Sequence, residues 1–480
     1  MRIPLEPASG VPLYRQLERW FADAIRSGAL PLGSRLPSTR GLAADLGVSR
    51  VTVTTAFAEL EGSGLVVAAV GSGTRVAPVL PTVAARPNPR PVAAAAPAPA
   101  AEAWVDAWAG RPGGPGLIAF TGVGDPAAYP VVEFGRTLRQ VLAREGAAAL
   151  SYAPHPAGDP SLRRTVTQLL ASQGIGVPPE SVLITSGSQQ ALALVCQVLV
   201  RPGDTVVVEE PTYDLALRLL TSVGANLVGV PVDDHGMRVE QLAEVLPGSK
   251  LLYVTPNFQN PTGATLSAAR RRALLDLART HDVPVFEDDF AGDLRYSGRA
   301  TPAIKSLDDG GRVLYAGTFS KLLMPGLRIG YLVAEGAIRG RLVEAKQVTD
   351  LGTSLLLQRA LDRFVTVGRY QANLRRTTRL YRERRDVLKQ ALETHLPDAR
   401  FTVPAGGLFT WVTLPPGTRA DELLVAARDR GVDLASGERF YRNPDDGLSH
   451  IRLNFAVQPP GKISEGITRL AAAVEHLRGR

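Results

Sequence analysis

The chain of 480 residues has a single cysteine, Cys196, so an internal disulfide is excluded. It sits in an apolar run, ALALVCQVLV, where a buried structural thiol in a reducing compartment is expected. No uninterrupted apolar stretch reaches about 18 residues, so no membrane span is expected. The opening residues, MRIPLEPASGVPLYRQ, lack the apolar core of a secretory signal, and a cytoplasmic location is the expectation. Concentrated charge is missing as well. The formal charge is +8, yet the first 76 residues hold eight arginines against six acids. Any nucleic-acid affinity there has to rest on placement rather than bulk charge. No internal repeat is present, and no metal site is expected.

What is present is a globular composition, 45% hydrophobic and 21% charged, at a length that implies two or more domains. From about 77 to 115 the composition breaks, running APVLPTVAARPNPRPVAAAAPAPAAEAW and on to AGRPGGPG. Proline removes donors and alanine buries little, so this is expected to be an extended, semi-rigid linker with one short helix at AEAWVDAW. The expected organisation is a small domain over 1–76, a linker over 77–115 and a large domain over 116–480.

In PLYRQLERWFADAIRSGAL, Leu13, Leu17, Phe21, Ala24 and Ile25 fall on one helical stripe. Pro37 and Ser38 start a second helix that Gly47 closes, and Ser49 can cap a third, SRVTVTTAFAELEGSG. Two short β-rich runs around GSG then predict a hairpin. Three helices and a hairpin make a winged helix-turn-helix, in which the third helix offers its N-terminal face to the major groove of DNA.

Beyond the linker, short apolar strands alternate with helical runs: SVLITSG with SQQALALVCQVL, DTVVVEE with TYDLALRLL, and KLLYVTP with AARRRALLDLA. VPVFEDD, RVLYAGT and RIGYLVA follow. This pattern predicts a mostly parallel α/β sheet covered by helices on both faces, with ligands at the carboxyl ends of its strands. The unusual residues fall at those ends: SGSQQ (186–190), Tyr213, NPTG (260–263), EDD (287–289) and GTFSKLLMPGLRIGY (317–331).

In that order they resemble the fold type I pyridoxal-phosphate (PLP) aminotransferases over roughly 116–480, a fold with a smaller C-terminal α+β subdomain. The resemblance implies that Lys321 is the Schiff-base lysine. It implies Asp288 facing the pyridine nitrogen, Asn260 donating to the ring's phenolic oxygen, and Tyr213 stacked on the ring. Ser188, Gln189, Thr318, Ser320 and Arg328 would hold the phosphate, with Gly187 allowing close approach. Tyr152 matches a tyrosine that reaches the neighbouring subunit's phosphate. Arg452 matches the arginine that grips a substrate carboxylate with two parallel hydrogen bonds. Relatives carry a tyrosine just after EDD, whereas this chain has Phe290. Without that donor the Schiff-base proton is expected to be held more tightly and transamination to be sluggish.

The stretch LPSTRGLAADLGVSRVTVTTAFAELEGSGLV…GSGT is similar to the GntR-type winged helix. That similarity places Arg40 and Arg50 on phosphates and base edges, Ser49, Thr52 and Thr54 on the recognition helix, and Gly73 at the wing tip. The two parts together resemble the MocR/GabR regulators, which implies a head-to-tail homodimer that binds double-stranded operator DNA and senses PLP or an amino compound. The alternative is an active aminotransferase of an α-amino acid carrying a vestigial DNA domain. Relatives sensing γ-aminobutyrate carry an arginine where this chain has Leu215, so PLP or an α-amino acid is the expected effector. A basic run, RYQANLRRTTRLYRERRD (369–386), has seven arginines against two acids. It reads as a long helix with a solvated face, or as a stripe along which bent DNA could run.

Overall fold

The structure is a computed structural model, describing residues 3–6, 9–69, 73–77 and 116–479. The linker, its expected short helix and the wing turn at 70–72 lie outside the described residues. The chain divides into two compact units, Met1–Gly110 and Arg111–Arg480.

In the first unit, α1 (Leu13–Arg26), α2 (Thr39–Leu46) and α3 (Arg50–Gly62) precede a hairpin of β1 (Val66–Ala69) and β2 (Gly73–Val76). Ser38 accepts from the Gly41 amide at 3.1 Å and Ser49 from the Thr52 amide at 3.1 Å, so two exposed hydroxyls fix where α2 and α3 begin. Gly47, in the left-handed region at φ 65°, ends α2. The apolar stripe closes a core of Leu17, Phe21, Ile25, Val53, Phe57 and Leu60. Phe21 and Phe57 meet edge to face at 5.5 Å. Ala22 is buried on that stripe, while Ala24 is only partly covered.

Eight strands form the sheet of the second unit: β3 (Val182–Thr185), β4 (Thr205–Glu210), β5 (Asn226–Asp233), β6 (Gly236–Met237), β7 (Leu251–Val254), β8 (Val285–Asp289), β9 (Val313–Thr318) and β10 (Gly330–Val333). Their spatial order is β3-β10-β9-β8-β7-β4-β5-β6. All run one way except β10 and β6, which pair antiparallel to their neighbours. Alternate residues go to opposite faces. Val206 and Val208 pack on one side with Leu194 and Val195 of α4 (Ser188–Leu199), and Val207 packs on the other with Leu274 and Leu275 of the 268–280 helix. Cys196 is buried in the first of these layers, and burial pushes its thiol up to about 12. It is a packing residue.

The C-terminal subdomain is a four-stranded antiparallel sheet of β11 (Arg400–Phe401), β12 (Phe409–Thr413), β13 (Ala435–Ser436) and β14 (His450–Asn454), in the order β11-β12-β14-β13. The 369–395 and 460–478 helices belong to the same region. Among the described residues no helix is long and apolar enough to cross a membrane.

Candidate functional site

In the small domain, α3 buries Val53, Ala56, Phe57 and Leu60 and leaves Arg50, Val51 and Thr54 exposed. Arg40 and Arg50 are exposed and have no partner among the described residues. Ser49 and Thr52 share a hydroxyl contact at 2.9 Å, and the Thr54 hydroxyl donates to the Arg50 carbonyl at 2.9 Å. Gly73 opens β2 at φ 83°, and a Cβ there would meet the Arg35 guanidinium at 3.1 Å. The wing thus needs glycine at this point on two counts, its backbone and its neighbour.

In the large domain the candidate residues follow the carboxyl ends of β3, β4, β7, β8 and β9, where a parallel sheet leaves a crevice. At the end of β3, Gly187 (φ 100°) leads into α4, whose first turn has no side-chain cap. Its free amides, including those of Ser188 and Gln189, suit an anion. Arg328, itself in the left-handed region at φ 50°, donates to the Ser186 carbonyl at 2.7 Å. A Cβ on Gly187 would meet that guanidinium at 3.2 Å, so glycine lets the cation close on the turn. Gln190 braces the same turn. Its Oε1 accepts from the Ser186 amide at 2.7 Å, and its Nε2 donates at 2.7 Å to Asp350, which buried Lys346 neutralises.

Beyond β9, Thr318 accepts from the Ser320 amide at 3.1 Å, which leaves its own proton to donate. The Ser320 hydroxyl is buried with no partner. Lys321, the next residue, is half-buried, and its amine is pushed down to about 8. Loss of water is the main cause, reinforced by Arg452 and opposed by Asp288. A lysine at that value has a neutral fraction that grows from pH 7 to pH 8, where an ordinary lysine has almost none, and so is able to act as a nucleophile.

Asp288 lies at the end of β8, buried. Its Oδ2 accepts from the Tyr253 hydroxyl at 2.8 Å and its Oδ1 has no partner. Burial raises this carboxyl to about 6. An unsatisfied buried carboxylate oxygen beside a lysine calls for a donor, and a protonated pyridine nitrogen is one. Asn260 offers its Oδ1 to Arg452 at 2.7 Å, and its Nδ2 has no partner among the described residues. Tyr213 stands at the start of α5 (Asp214–Ser222), and burial raises its hydroxyl well above the ordinary range. The orphaned Asp288 and Ser320 atoms and the open α4 terminus fit PLP at its ring nitrogen and phosphate.

Arg452, on β14, is held between Phe409 and Phe440, with its guanidinium 4.1 and 4.8 Å from their ring centres. Burial lowers it to about 10, and its Nε is buried without a partner. One edge of the fork is therefore available to a carboxylate. Phe290 is buried against Phe409 at 6.1 Å and brings no hydroxyl to this corner. Tyr152 is 78% exposed and makes no side-chain hydrogen bond or ring contact among the described residues.

Sequence reasoning missed Tyr253, the Phe409–Phe440 clamp and the Arg439–Asp214 ion pair at 2.8 Å. Only Tyr253 had a signal, as a hydroxyl in an otherwise aliphatic strand, LLYV, where burial demands a partner. The basic run is one helix, α6 (Arg369–His395), and most of its arginines serve the fold. Arg369 binds Thr137, Arg376 the Ala128 carbonyl, Arg382 the Tyr296 carbonyl, Arg384 Asp125, and Arg385 the Pro404 carbonyl.

Residues 130–470 match the family model for aminotransferase class I and II, and residues 13–76 match bacterial regulatory proteins of the gntR family. The chain is 35% identical over 486 residues to the probable rhizopine catabolism regulatory protein MocR of Rhizobium meliloti, covering 98% of this chain and 95% of that one. It is 34% identical over 493 residues to the HTH-type transcriptional regulator TauR of Rhodobacter capsulatus, covering 99% and 100%. Among solved structures it resembles the alpha-aminoadipate aminotransferase of Thermus thermophilus, complexed with N-(5'-phosphopyridoxyl)-L-leucine. That match has a TM-score of 0.71 at 33% identity and covers 76% of this chain and 94% of that one. The chain belongs to the PLP-dependent class I and II aminotransferase family, with a gntR-type DNA-binding domain fused in front, the organisation of the MocR regulators.

Proposed function

We propose that the protein is a transcriptional regulator in which the winged helix binds operator DNA and the aminotransferase domain holds PLP on Lys321, sensing PLP or an amino compound. The observation that carries this reading is α3. It is capped and exposed, presents Arg50 without an acid partner among the described residues, and belongs to a chain that aligns end to end with regulators. The proposal keeps the boundaries 1–76, 77–115 and 116–480. Arg50 grips guanine edges and Arg40 a phosphate, Thr54 adds a hydroxyl contact, Ser49 and Thr52 fix the helix start, and Gly73 brings the wing close.

When bound, PLP supplies an aldehyde for amines and an electron-withdrawing ring. Asp288 keeps the ring nitrogen protonated through its free Oδ1, and Tyr253 orients that carboxylate. Asn260 donates to the ring oxygen and Tyr213 covers the ring face. Gly187, Ser188, Gln189, Thr318, Ser320 and Arg328 enclose the phosphate. Arg452 takes the carboxylate of an amino compound. Exposed Tyr152 reaches the phosphate of a second subunit in a head-to-tail homodimer, and the location is cytoplasmic.

A second reading, an active aminotransferase, is favoured by the completeness of the Lys321, Asp288 and Arg452 set. Phe290 weighs against it, since the ring oxygen has one hydrogen-bond donor fewer. Binding to the DNA just upstream of its own gene, titrated in salt with and without PLP, tests the proposal. Specific binding that shifts with PLP is expected. Specific binding indifferent to PLP points to an amino compound as effector. No specific binding, together with turnover of an amino acid and a keto acid, overturns the regulator reading.

A further inference from the structure

A cleft of about 540 Å³ opens on the large domain outside the proposed cofactor set. One wall is aromatic. The Trp411 and His450 rings stack at 5.2 Å, 7° from parallel, and Tyr441 lies 6.2 Å from His450. Arg400 and Asp234 line the same cleft, both exposed. Arg400 has no side-chain partner among the described residues, and Asp234 accepts only the Thr402 hydroxyl at 2.9 Å. Neighbouring Asp233 is different, being neutralised by both Arg270 amines at 2.6 and 2.8 Å. The cleft therefore offers one uncompensated cation, one uncompensated anion and a ring-stacking surface. A buried Thr265 hydroxyl with no partner adds a polar contact.

Those three groups define one ligand chemistry. Aromatic faces take a ring, a free guanidinium takes a carboxylate, and a free carboxylate takes an ammonium. We propose that this cleft binds an aromatic α-amino acid as its zwitterion. The ring lies against Trp411, His450 and Tyr441, the carboxylate meets Arg400, and the ammonium meets Asp234. The volume is in the range of small-molecule sites.

The cleft is not isolated. Trp411 meets Phe440 edge to face at 5.6 Å, Phe440 and Phe409 clamp Arg452, and Phe409 packs on Phe290. A continuous column of rings thus joins the cleft wall to the proposed carboxylate grip of the cofactor site. The proposal is independent of the regulator reading, because it needs neither DNA binding nor an amine reacting at Lys321.

The test uses the full-length chain treated with borohydride in the presence of PLP, so that the Lys321 site is blocked. L-phenylalanine is titrated in calorimetrically, with L-alanine as the ring-less comparison. Saturable binding of phenylalanine is expected, with alanine much weaker. Arg400→Gln and Asp234→Asn are each expected to weaken it at least about tenfold, the size of one lost charge-assisted hydrogen bond. Both side chains are exposed, and an unchanged thermal melt shows that each variant folds. Lack of saturable binding to the blocked protein, or binding indifferent to both substitutions, overturns the proposal.

Discussion

The two candidate sites of this chain are built on opposite terms. In the small domain the candidates stand in water: Arg40, Arg50 and Thr54 are exposed, and the hydroxyls of Ser49 and Thr52 are occupied in holding the helix. In the large domain Asp288 and Ser320 are withdrawn from water and each keeps a buried polar atom with no partner, although Arg328 and Tyr152 are exposed. A surface for DNA needs only unneutralised charge in the right place, because its partner brings ions and water that are released on contact. A pocket for a small cofactor has to leave hydrogen-bonding capacity unsatisfied inside the protein, which costs stability until the ligand fills it. The two sites should therefore respond differently to the loss of one side chain.

Lys321 gives the largest contrast. Lys321→Ala is expected to abolish covalent capture of PLP, read as loss of borohydride-fixed absorbance on the chain, while leaving cognate DNA binding in the absence of PLP within about twofold. In the unchanged protein the capture rate follows the neutral amine. With the lysine pushed down to about 8, the rate rises with pH up to about 8 and then levels off. A rate still climbing toward pH 10 would mean that the amine is as exposed as an ordinary lysine. Arg50→Ala comes next. Loss of one bidentate base contact lowers cognate affinity about tenfold to a hundredfold, and affinity for scrambled DNA much less. Equal losses on the two DNAs would make Arg50 a phosphate contact and place both arginines in one class.

The same contrast governs what could be read from sequence. The winged helix was legible because caps and turns are local: Ser38, Gly47 and Ser49 stand next to the backbone groups they satisfy. The parallel sheet was legible because its strands are continuous apolar runs, and the cofactor site because its residues recur at strand ends in a recognisable order. What is assembled across distance was hidden. The Phe409–Arg452–Phe440 sandwich depends on β14 lying beside β12 and on the 437–440 turn, and nothing in FTW or GERF announces it. For the same reason the α6 run showed its solvated face but not which of its arginines hold the fold. Their partners, Thr137, Ala128, Tyr296, Asp125 and Pro404, lie far off in the chain.

Glu209 offers a smaller test of the buried side. It is fully buried on β4, its Oε2 accepts from the Thr255 amide at 3.0 Å and Gln259 at 3.2 Å, and its Oε1 has no partner. Burial pushes the carboxyl up to about 8. Unfolded, it would titrate near about 4.3. Between those values the folded chain keeps a proton that the unfolded chain has lost, so this residue makes stability fall as pH rises. Glu209→Gln removes the effect and keeps both acceptor contacts. The variant should match the parent near pH 4 and exceed it by on the order of 3–4 kcal/mol at pH 7 in denaturant unfolding. A difference independent of pH would show that the carboxyl is already ionised in the fold.

The smallest effect is expected on α6, where the rule for surfaces and the rule for interiors meet on one helix. Of its seven arginines in 369–386, five hold distant parts of the fold, and Arg375 and Arg379 alone have no partner among the described residues. They are one helical turn apart and exposed, so they form a pair of charges rather than a stripe. Each phosphate released from contact would change the slope of log affinity against log salt by about 0.9. Arg375→Gln with Arg379→Gln should therefore leave that slope unchanged if DNA is held by the winged helix alone. A fall of nearly two would extend the DNA-binding surface onto the large domain.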